Sequence, residues 1–490
     1  MKRDSLLSAR VAQIAARSSP STFDDTQPVS ASGTARLYIP IALLAVLLTL
    51  FIGRTQDLTL TTYVFWSLSC FGWFPVLFGL IGQRIGSYWP RSAARSQPAT
   101  TPLPTITIVL PLYKEANMVG QLAQAMAKLD YPSTHLDCMV LLEADDTSTS
   151  LAATCAAWPS FCRLISVPKG IPKTKARACN YAMRRAFSDI LVIFDAEDQP
   201  HRGQLREAAR RFARSDEKLA CLQAPLHILP QADSWLQNQF AVEYHLLFQL
   251  ILPNLGRALG ALPLGGSSNY FRLKALRQIG GWDDYNLTED AELGLRLAQN
   301  GYRVETLKLP TYENAPHNLP VWYRQRTRWY SGHIQTLHTH FPILHRHIRH
   351  VPLAMTCILI LVARLAAGPA HLLSLLLLVT RLFDPTVPLA FDASTLLPLT
   401  IYLLMIFILY RLGRATTRRG RLFIALTHWL YWLLSVPPLL NALKRMALGQ
   451  LDWLKSPHKP YASPQEPGAS RARGRHNHRL ERVKGIEPSS

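Results

Sequence analysis

Two apolar runs without any charged side chain lie near the start of the chain. Residues 37–53 and 62–82 form these runs. Each is long enough to cross a hydrocarbon core of about 30 Å at about 1.5 Å per helical residue. A polar stretch of more than thirty residues precedes the first run, which is not typical of a cleavable signal. The pattern predicts two transmembrane helices within 37–86.

Apolar runs return in the last third of the chain, at 352–378, 388–410 and 422–443. The first contains Arg364, and an ionisable residue inside an apolar segment indicates a wall shared with protein or water rather than lipid. The last contains Pro437-Pro438, which favours a bend. We therefore expect about three transmembrane or interfacial helices within 346–443.

Between these regions, residues 105–345 hold only short apolar groups. The β-branched run at 105–111 and the apolar runs at 138–142 and 189–194 predict buried strands, and 118–129 predicts a helix. Strands that alternate with helices are typical of a doubly wound α/β sheet, in which ligands bind beyond the carboxyl ends of the strands.

Charge placement supports a membrane protein. Only 17% of the 490 residues are charged, 48% are hydrophobic, and the formal net charge is +21. No zinc spacing or aromatic-basic signature accompanies the positive charge, so nucleic-acid binding is disfavoured. Basic residues concentrate in 1–36 and 444–490, which we expect to be disordered, and 87–104 reads as a linker. Seven cysteines without a C-x-x-C pair indicate reduced thiols and a cytosolic catalytic domain.

Acidic residues follow the predicted strands. Glu115, Asp145 and Asp195 all come at strand ends that should share one edge of the sheet. Solvated turn carboxylates are the alternative for any one of them, and for the adjacent Asp146 that alternative is as good as a functional role.

The segment Asp195-Ala-Glu197-Asp198 supplies adjacent hard oxygen ligands. Mg²⁺ or Mn²⁺ takes one or two such carboxylates together with phosphate oxygens, so Asp195 and Glu197 predict a metal–diphosphate site. Because Asp198 follows directly, either Glu197 or Asp198 qualifies as the second ligand.

A basic loop and an acidic helix start complete the central signals. Lys173 or Lys175 can reach nucleotide phosphates from a helix N-terminus, although a solvated loop explains them equally. Thr288 predicts the N-cap of a helix that begins at Glu289. Asp290 then suits a general base for an acceptor hydroxyl.

The segment Gln325-Arg-Thr-Arg-Trp329 precedes the return to the membrane. Its arginines, Arg326 and Arg328, suit a diphosphate, and Trp329 offers an apolar face to a sugar. A basic interfacial helix is the alternative.

In their order, these motifs resemble those of membrane-bound family 2 glycosyltransferases, the superfamily of cellulose and hyaluronan synthases, in its bacterial exopolysaccharide branch. The motifs are Tyr-Lys-Glu, Glu-Ala-Asp-Asp, Asp-Ala-Glu-Asp, Gly-Gly-Ser-Ser-Asn, Thr-Glu-Asp and Gln-x-x-Arg-Trp. The resemblance implies a GT-A catalytic domain, a Rossmann-like α/β fold with a mixed, mostly parallel sheet, flanked by transmembrane α-helices. Two features depart from the family pattern: Asp-x-Glu replaces Asp-x-Asp, and about five membrane segments are fewer than in cellulose synthase.

The resemblance also implies residue roles. Asp145 would contact uridine, Asp195 and Glu197 would hold the metal and diphosphate, and Asp290 would be the base. The full predicted site comprises catalytic Asp290, metal ligands Asp195 and Glu197, and substrate-binding Glu115, Asp145, Lys175, Glu289, Gln325, Arg326, Arg328 and Trp329.

The expected function is metal-dependent, inverting transfer of a sugar from a UDP-sugar to a growing polysaccharide. We expect a multi-pass protein of the bacterial inner membrane with a cytoplasmic catalytic domain, membrane lipids around it, an export partner for the product, and no nucleic-acid partner. Single transfer to a lipid acceptor is one alternative. An inactive nucleotide-sugar sensor or scaffold is another.

Overall fold

A computed structural model of the protein describes residues 73–85, 102–229, 234–344, 351–383, 393–412 and 418–450. The strands are β1 (Ile106–Leu112), β2 (Leu136–Glu143), β3 (Cys162–Val167), β4 (Ile190–Ile193), β5 (Gln199–Pro200), β6 (Leu219–Gln223), β7 (Leu226–Ile228), β8 (Asn269–Arg272), β9 (Arg303–Thr306) and β10 (Thr311–Glu313).

The main sheet has seven strands in the order β3-β2-β1-β4-β8-β6-β9. Its first four strands pair in parallel, and β8 runs antiparallel between β4 and β6. Nearly every residue of β1, β2 and β4 is buried, which is why these strands read as continuous apolar runs in the sequence. The predicted mixed, mostly parallel sheet is confirmed.

The helices up to residue 344 are α1 (Phe74–Ile85), which precedes the sheet domain, and α2 (Val119–Ala127), α3 (Thr147–Cys155), α4 (Lys175–Met183), α5 (Gln204–Ala213), α6 (Trp235–His245), α7 (Leu252–Leu259), α8 (Leu273–Gln278), α9 (Glu289–Gln299) and α10 (Leu319–Leu344). A 3₁₀ turn covers Ser133–His135, and a π-helical segment, Leu246–Ile251, joins α6 to α7. The helices predicted at 118–129 and from Glu289 are present within one or two residues.

A second, three-stranded sheet has the order β5-β10-β7. Strand β10 pairs antiparallel with β5 and parallel with β7. Since β5 follows the Asp195–Asp198 turn, this small sheet brings the end of β10 back to the predicted metal site. No sequence pattern predicts this small sheet.

The apolar helices that follow are α11 (Val351–Thr356), α12 (Ala363–Phe383), α13 (Ala393–Leu412), α14 (Arg418–Leu433) and α15 (Val436–Ala447). A π-helical segment, Cys357–Val362, connects α11 to α12. The interruption between α14 and α15 lies just before Pro437, where a bend was expected.

Two helical stretches in the described residues are long and apolar enough to cross a membrane by length and composition, Leu353–Leu373 and Arg418–Ala447. They pack with α1 and with the segment from α6 to α7 around one apolar cluster. That cluster includes Trp73, Leu250, Leu255, Leu361, Met405 and Ile424. The predicted first transmembrane helix, the linker 87–101 and the tail beyond residue 450 lie outside the described residues.

Candidate active site

One cavity opens at the carboxyl edge of the main sheet. The predicted site residues that line it are Glu115, Lys175, Asp195, Glu197, Glu289, Asp290, Gln325, Arg328 and Trp329. They come from the ends of β1 and β4, the start of α4, the start of α9 and the middle of α10. Fold topology therefore brings together residues that are separated by more than two hundred positions in the sequence.

An ion pair lies at the outer side of this cavity, where the chain leaves β2. Lys173 forms an ion pair with Asp145 and lies 4.1 Å from the ring centroid of Tyr113. This ion pair holds the pKa of Asp145 below its usual range. Asp146 instead accepts hydrogen bonds from the backbone N–H groups of Lys114 and Thr149, at 2.5 and 3.2 Å. Asp146 therefore caps α3, which agrees with the alternative that it is a turn carboxylate without a role in binding.

Lys175, the first residue of α4, points at the end of β4. Its Nζ lies 2.5 Å from Asp195 Oδ1 and also donates to the carbonyl of Gly266. Burial lowers the pKa of Lys175, but the negative charges of Asp195 and Glu289 outweigh burial and hold that pKa above its usual range. The ammonium group is thus a fixed positive charge between two of the predicted acidic residues.

Glu197 and Asp198, the two candidates for the second metal ligand, have different surroundings in the turn after β4. Asp198 is fully buried, and its Oδ2 accepts from the backbone N–H of Asp195 at 2.7 Å and from Ser267 Oγ. Glu197 lines the cavity. Desolvation, followed by the charges of Asp195 and Glu197, raises the pKa of Asp198 well above its usual range.

Glu313, at the end of β10, joins this acidic group. It is buried, it lines the cavity, and its pKa is raised by desolvation and then by Asp198, Glu197 and Asp195. Sequence analysis missed Glu313, because a single glutamate in a three-residue strand carries no local signal. Four carboxylates therefore lie close together: Asp195, Glu197, Asp198 and Glu313. A bound cation would reduce the repulsion between their negative charges.

The start of α9 presents two adjacent carboxylates. Desolvation and the charge of Asp290 raise the pKa of Glu289 to about 7. Desolvation also raises the pKa of Asp290, against the opposite effect of Lys175. Thr288 occupies the N-cap position, but its side chain caps no helical N–H and lies 3.4 Å from Asn286 Oδ1. Thr288 therefore has the predicted N-cap position, although its hydroxyl does not cap the helix.

Gly266 lies close to both the predicted base and the predicted metal ligand. A Cβ atom built there would lie 3.3 Å from Asp290 Oδ2 and 3.9 Å from Asp195 Oδ2. The predicted base and the predicted metal ligand thus flank one residue without a side chain. A small reacting group can approach both only because this position is glycine.

Helix α10 closes the opposite side of the cavity. Gln325, Arg328 and Trp329 line it, as the i, i+3, i+4 spacing allows on one helix face. The Trp329 ring stacks near Phe240 and Tyr244, with centroid separations of 6.2 and 6.3 Å. Its position is fixed by these aromatic neighbours.

Arg326 does not line the cavity. Its guanidinium is buried, donates to Glu243 Oε1 at 2.7 Å and also donates to Tyr431 Oη at 2.8 Å. Arg364 of α12 lies 2.5 Å from the same carboxylate. The prediction that Arg326 binds the donor diphosphate disagrees with this geometry, because its hydrogen bonds are directed into the protein.

Residues 190–412 match the family described as glycosyl transferase family group 2. This range begins at β4 and includes the Asp195, Asp290 and Trp329 motifs. The chain contains a family 2 glycosyltransferase domain.

Curated relatives of this glycosyltransferase domain have different products. The cellulose synthase 1 catalytic subunit (UDP-forming) of Komagataeibacter xylinus is 28% identical over 249 residues, 49% of this chain and 32% of the relative. The beta-monoglucosyldiacylglycerol synthase of Synechocystis is 25% identical over 248 residues, 48% of this chain and 49% of the relative. The chain thus spans half or less of the length of these two relatives.

A solved structure confirms the predicted GT-A fold class. The mannosyltransferase PcManGT from Pyrobaculum calidifontis, in complex with GDP-Man and Mn²⁺, superimposes with a TM-score of 0.53 at 19% identity. The match covers 77% of this chain and 99% of that one. Among the residues described here, no group of three His, Cys, Asp or Glu side chains forms a preformed metal site in the glycosyltransferase domain.

Two further lining residues of the glycosyltransferase domain, His333 and Arg364, were not predicted as site residues. His333 follows Trp329 by one helical turn, and that spacing is the signal that would have found it. Arg364 had been noted only as a charge within an apolar run, and the fold brings it to the cavity wall.

Proposed function

We propose that the chain is an inverting glycosyltransferase that moves a sugar from a UDP-sugar to an acceptor hydroxyl at the cytoplasmic face of a membrane. The observation that carries this proposal is that the carboxylates of Asp195 and Asp290 both lie close to Gly266 in the cavity. One is suited to a diphosphate-bound cation and the other to an attacking hydroxyl. Inversion places the nucleophile and the leaving group on opposite sides of the anomeric carbon, so it needs one group for the attacking hydroxyl and a separate group for the diphosphate.

The donor would lie along the carboxyl edge of the sheet. The Tyr113 ring and the Asp145–Lys173 pair are suited to the nucleoside, at the outer side of the cavity. Lys175 and Arg328 supply positive charge for the diphosphate. Glu115, which is buried and lines the cavity, would support this part of the site.

The acidic group fits a divalent cation, Mg²⁺ or Mn²⁺. Asp195 and Glu197 line the cavity with hard oxygen atoms, whereas Asp198 is fully buried outside the lining and its Oδ2 already accepts from a backbone N–H. We therefore favour Glu197 over Asp198 as the second ligand. Bound there, the cation would neutralise the negative charge that develops on the departing diphosphate. The similar mannosyltransferase was solved with Mn²⁺.

Asp290 would act as the general base. The acceptor oxygen attacks the anomeric carbon and its proton passes to Asp290, while the bond from that carbon to the diphosphate oxygen breaks and UDP leaves with the bonding electrons. Lys175 and Arg328 stabilise the leaving group electrostatically. A carboxylate whose pKa is raised toward neutrality is the better proton acceptor at cytoplasmic pH.

A membrane location suits the apolar helices. Leu403, Phe407, Phe423 and Leu440 are 56–60% exposed on helices α13 to α15. Exposed apolar side chains on such helices are the surface that lipid would cover. The location we propose is the inner membrane of a bacterium with the catalytic domain in the cytoplasm, and the basic residues that flank the apolar runs support the cytoplasmic side.

Two acceptors are candidates. The Gln-x-x-Arg-Trp motif favours a growing polysaccharide, which would need a partner for its export. The apolar lining contributed by Leu247, Phe248 and Ile360 favours a lipid hydroxyl instead.

The decisive experiment uses the full chain in nanodiscs with Mg²⁺ or Mn²⁺ and a panel of UDP-sugars, and it measures UDP release. We expect release with one donor, loss of release on chelation, and a loss of about 10²-fold or more in Asp290→Asn. Asp130→Asn is the matched control, because Asp130 lies on the surface in an ion pair with Arg206. Binding of UDP without release from any donor would instead favour a sensor or scaffold.

A further inference from the structure

His333 is a buried polar side chain without a protein partner for one of its nitrogens. It is 6% exposed and lines the cavity one helical turn beyond Trp329. Within the described part of the chain, its Nδ1 atom has no hydrogen-bond partner. Buried polar atoms are nearly always paired. A bound molecule in the cavity would supply the missing partner.

The surroundings of His333 select a neutral hydrogen-bonding partner. Burial, with added repulsion from Arg364 and Arg326, lowers the pKa of His333 to about 3. The imidazole is therefore neutral, with one nitrogen that donates and one that accepts. A hydroxyl group, which also both donates and accepts, complements it.

The wall beside His333 comes from a candidate membrane helix. Ile360 and Arg364 line the cavity, and both lie within the apolar stretch Leu353–Leu373. Arg364 also lies 5.9 Å from the Trp329 ring centroid, which places this helix next to the aromatic face that we assign to the sugar. The cavity thus extends from the carboxylates to the apolar helices.

We call this part of the cavity the acceptor lobe, and it comprises Tyr244, Phe248, Trp329, His333, Ile360 and Arg364. Four of these six side chains are aromatic or aliphatic. A polysaccharide presents hydroxyl groups along its whole length and needs polar partners along its path. An amphiphile needs polar partners only at its head.

We propose that the acceptor lobe binds a lipid whose hydroxylated head group bonds to His333 and whose hydrocarbon chain lies against Ile360. The proposal rests on the proposed glycosyltransferase function and names its acceptor class. His333 is a specificity-determining residue here. It holds the head group near Asp290, and the chain leaves along a helix that can face the bilayer.

The test is photolabelling of the full chain in phosphatidylcholine nanodiscs containing dioleoylglycerol with a diazirine on one acyl chain. With UDP and Mn²⁺ present, we expect label on the peptide that contains Ile360, and excess unlabelled dioleoylglycerol should displace it. In His333→Phe, the labelling should fall about ten- to a hundredfold, the effect of one lost buried hydrogen bond. His333→Gln, which keeps a neutral donor and acceptor, should recover most of it.

Calorimetric UDP affinity separates the possible failures. An unchanged UDP Kd in His333→Phe excludes general loss of structure, and His338→Phe, on the same helix outside the cavity lining, is the matched control. The proposal is overturned if the wild type binds UDP but shows no displaceable label at Ile360. It is also overturned if His333→Phe labels normally or if soluble cellotetraose displaces the label. Absence of UDP binding in the wild type would instead refute the proposed function.

Discussion

Gly332 is the position at which helix α10 presses directly on the loop that carries the proposed base. A Cβ atom built on Gly332 would lie 2.5 Å from Thr288 Oγ1, 2.6 Å from its Cγ2 and 2.6 Å from its backbone nitrogen. Thr288 immediately precedes Glu289 and Asp290. We predict that Gly332→Ala displaces this pair of carboxylates and lowers transfer activity.

The magnitude follows from these distances. Ordinary van der Waals contacts of a Cβ atom lie at 3.4–4 Å, so the helix and the loop must separate by about 1 Å. A misplacement of about 1 Å in a catalytic constellation costs on the order of 10²-fold in rate. Because one close atom is the backbone nitrogen of Thr288, truncating the Thr288 side chain should restore only part of the activity.

The assay is UDP release by Gly332→Ala in nanodiscs, with Gly120→Ala as the control. Gly120 also lies in a helix, but a Cβ atom there meets nothing within 4 Å. Both substitutions raise helix propensity by about 1 kcal/mol, so local helix stability cannot explain a difference between them. Activity of Gly332→Ala within twofold of the control would refute the close-packing argument.

Three other predictions concern separate groups. Asp195→Asn should lower UDP release about 10²-fold and abolish its dependence on Mn²⁺, whereas full activity would contradict the assigned metal site. The rate at saturating substrate should fall as pH decreases through about 7, the pKa of Glu289, because protonation of these two adjacent carboxyls hinders transfer of the hydroxyl proton to Asp290. Glu289→Gln removes a negative charge beside Asp290 and should therefore move the midpoint to lower pH, and an unchanged midpoint would count against this. Arg326→Ala leaves a buried carboxylate less compensated and should lower the free energy of unfolding by about 3–5 kcal/mol, whereas exposed Arg324→Ala should change it by less than about 0.5 kcal/mol; equal melting temperatures would disprove the buried ion pair.

Much of the site could be predicted because buried strands are recognisable from local sequence, and the topology of a parallel sheet then places their ends together. The apolar run ending at Phe194 predicted a buried strand, and a parallel sheet places every such strand end on one edge. Asp195 and Glu115 therefore reached the cavity as expected. The helix start at Glu289 was equally readable from the sequence.

Contacts formed by irregular or very short segments could not be predicted. Glu313 reaches the acidic group only because β10 pairs with β5 and β7, strands of two and three residues. Neither strand has a periodic pattern that distinguishes it from a loop. The location of Asp198 is similar, since its burial depends on Ser267 from a distant turn.

The two arginines of Gln-Arg-Thr-Arg-Trp show where helical geometry would have improved the prediction. Gln325, Arg328 and Trp329 share a stripe at i, i+3 and i+4, while Arg326 lies beside that stripe. A second arginine off the stripe needs another anion, and the buried carboxylate of Glu243 provides it. Because that carboxylate also binds Arg364, one ion cluster links the helix bearing the motif to a candidate membrane helix. Displacement of α12 would therefore change the surroundings of Trp329 as well as the acceptor lobe, which couples the apolar helices to the reaction site without any contact to the donor.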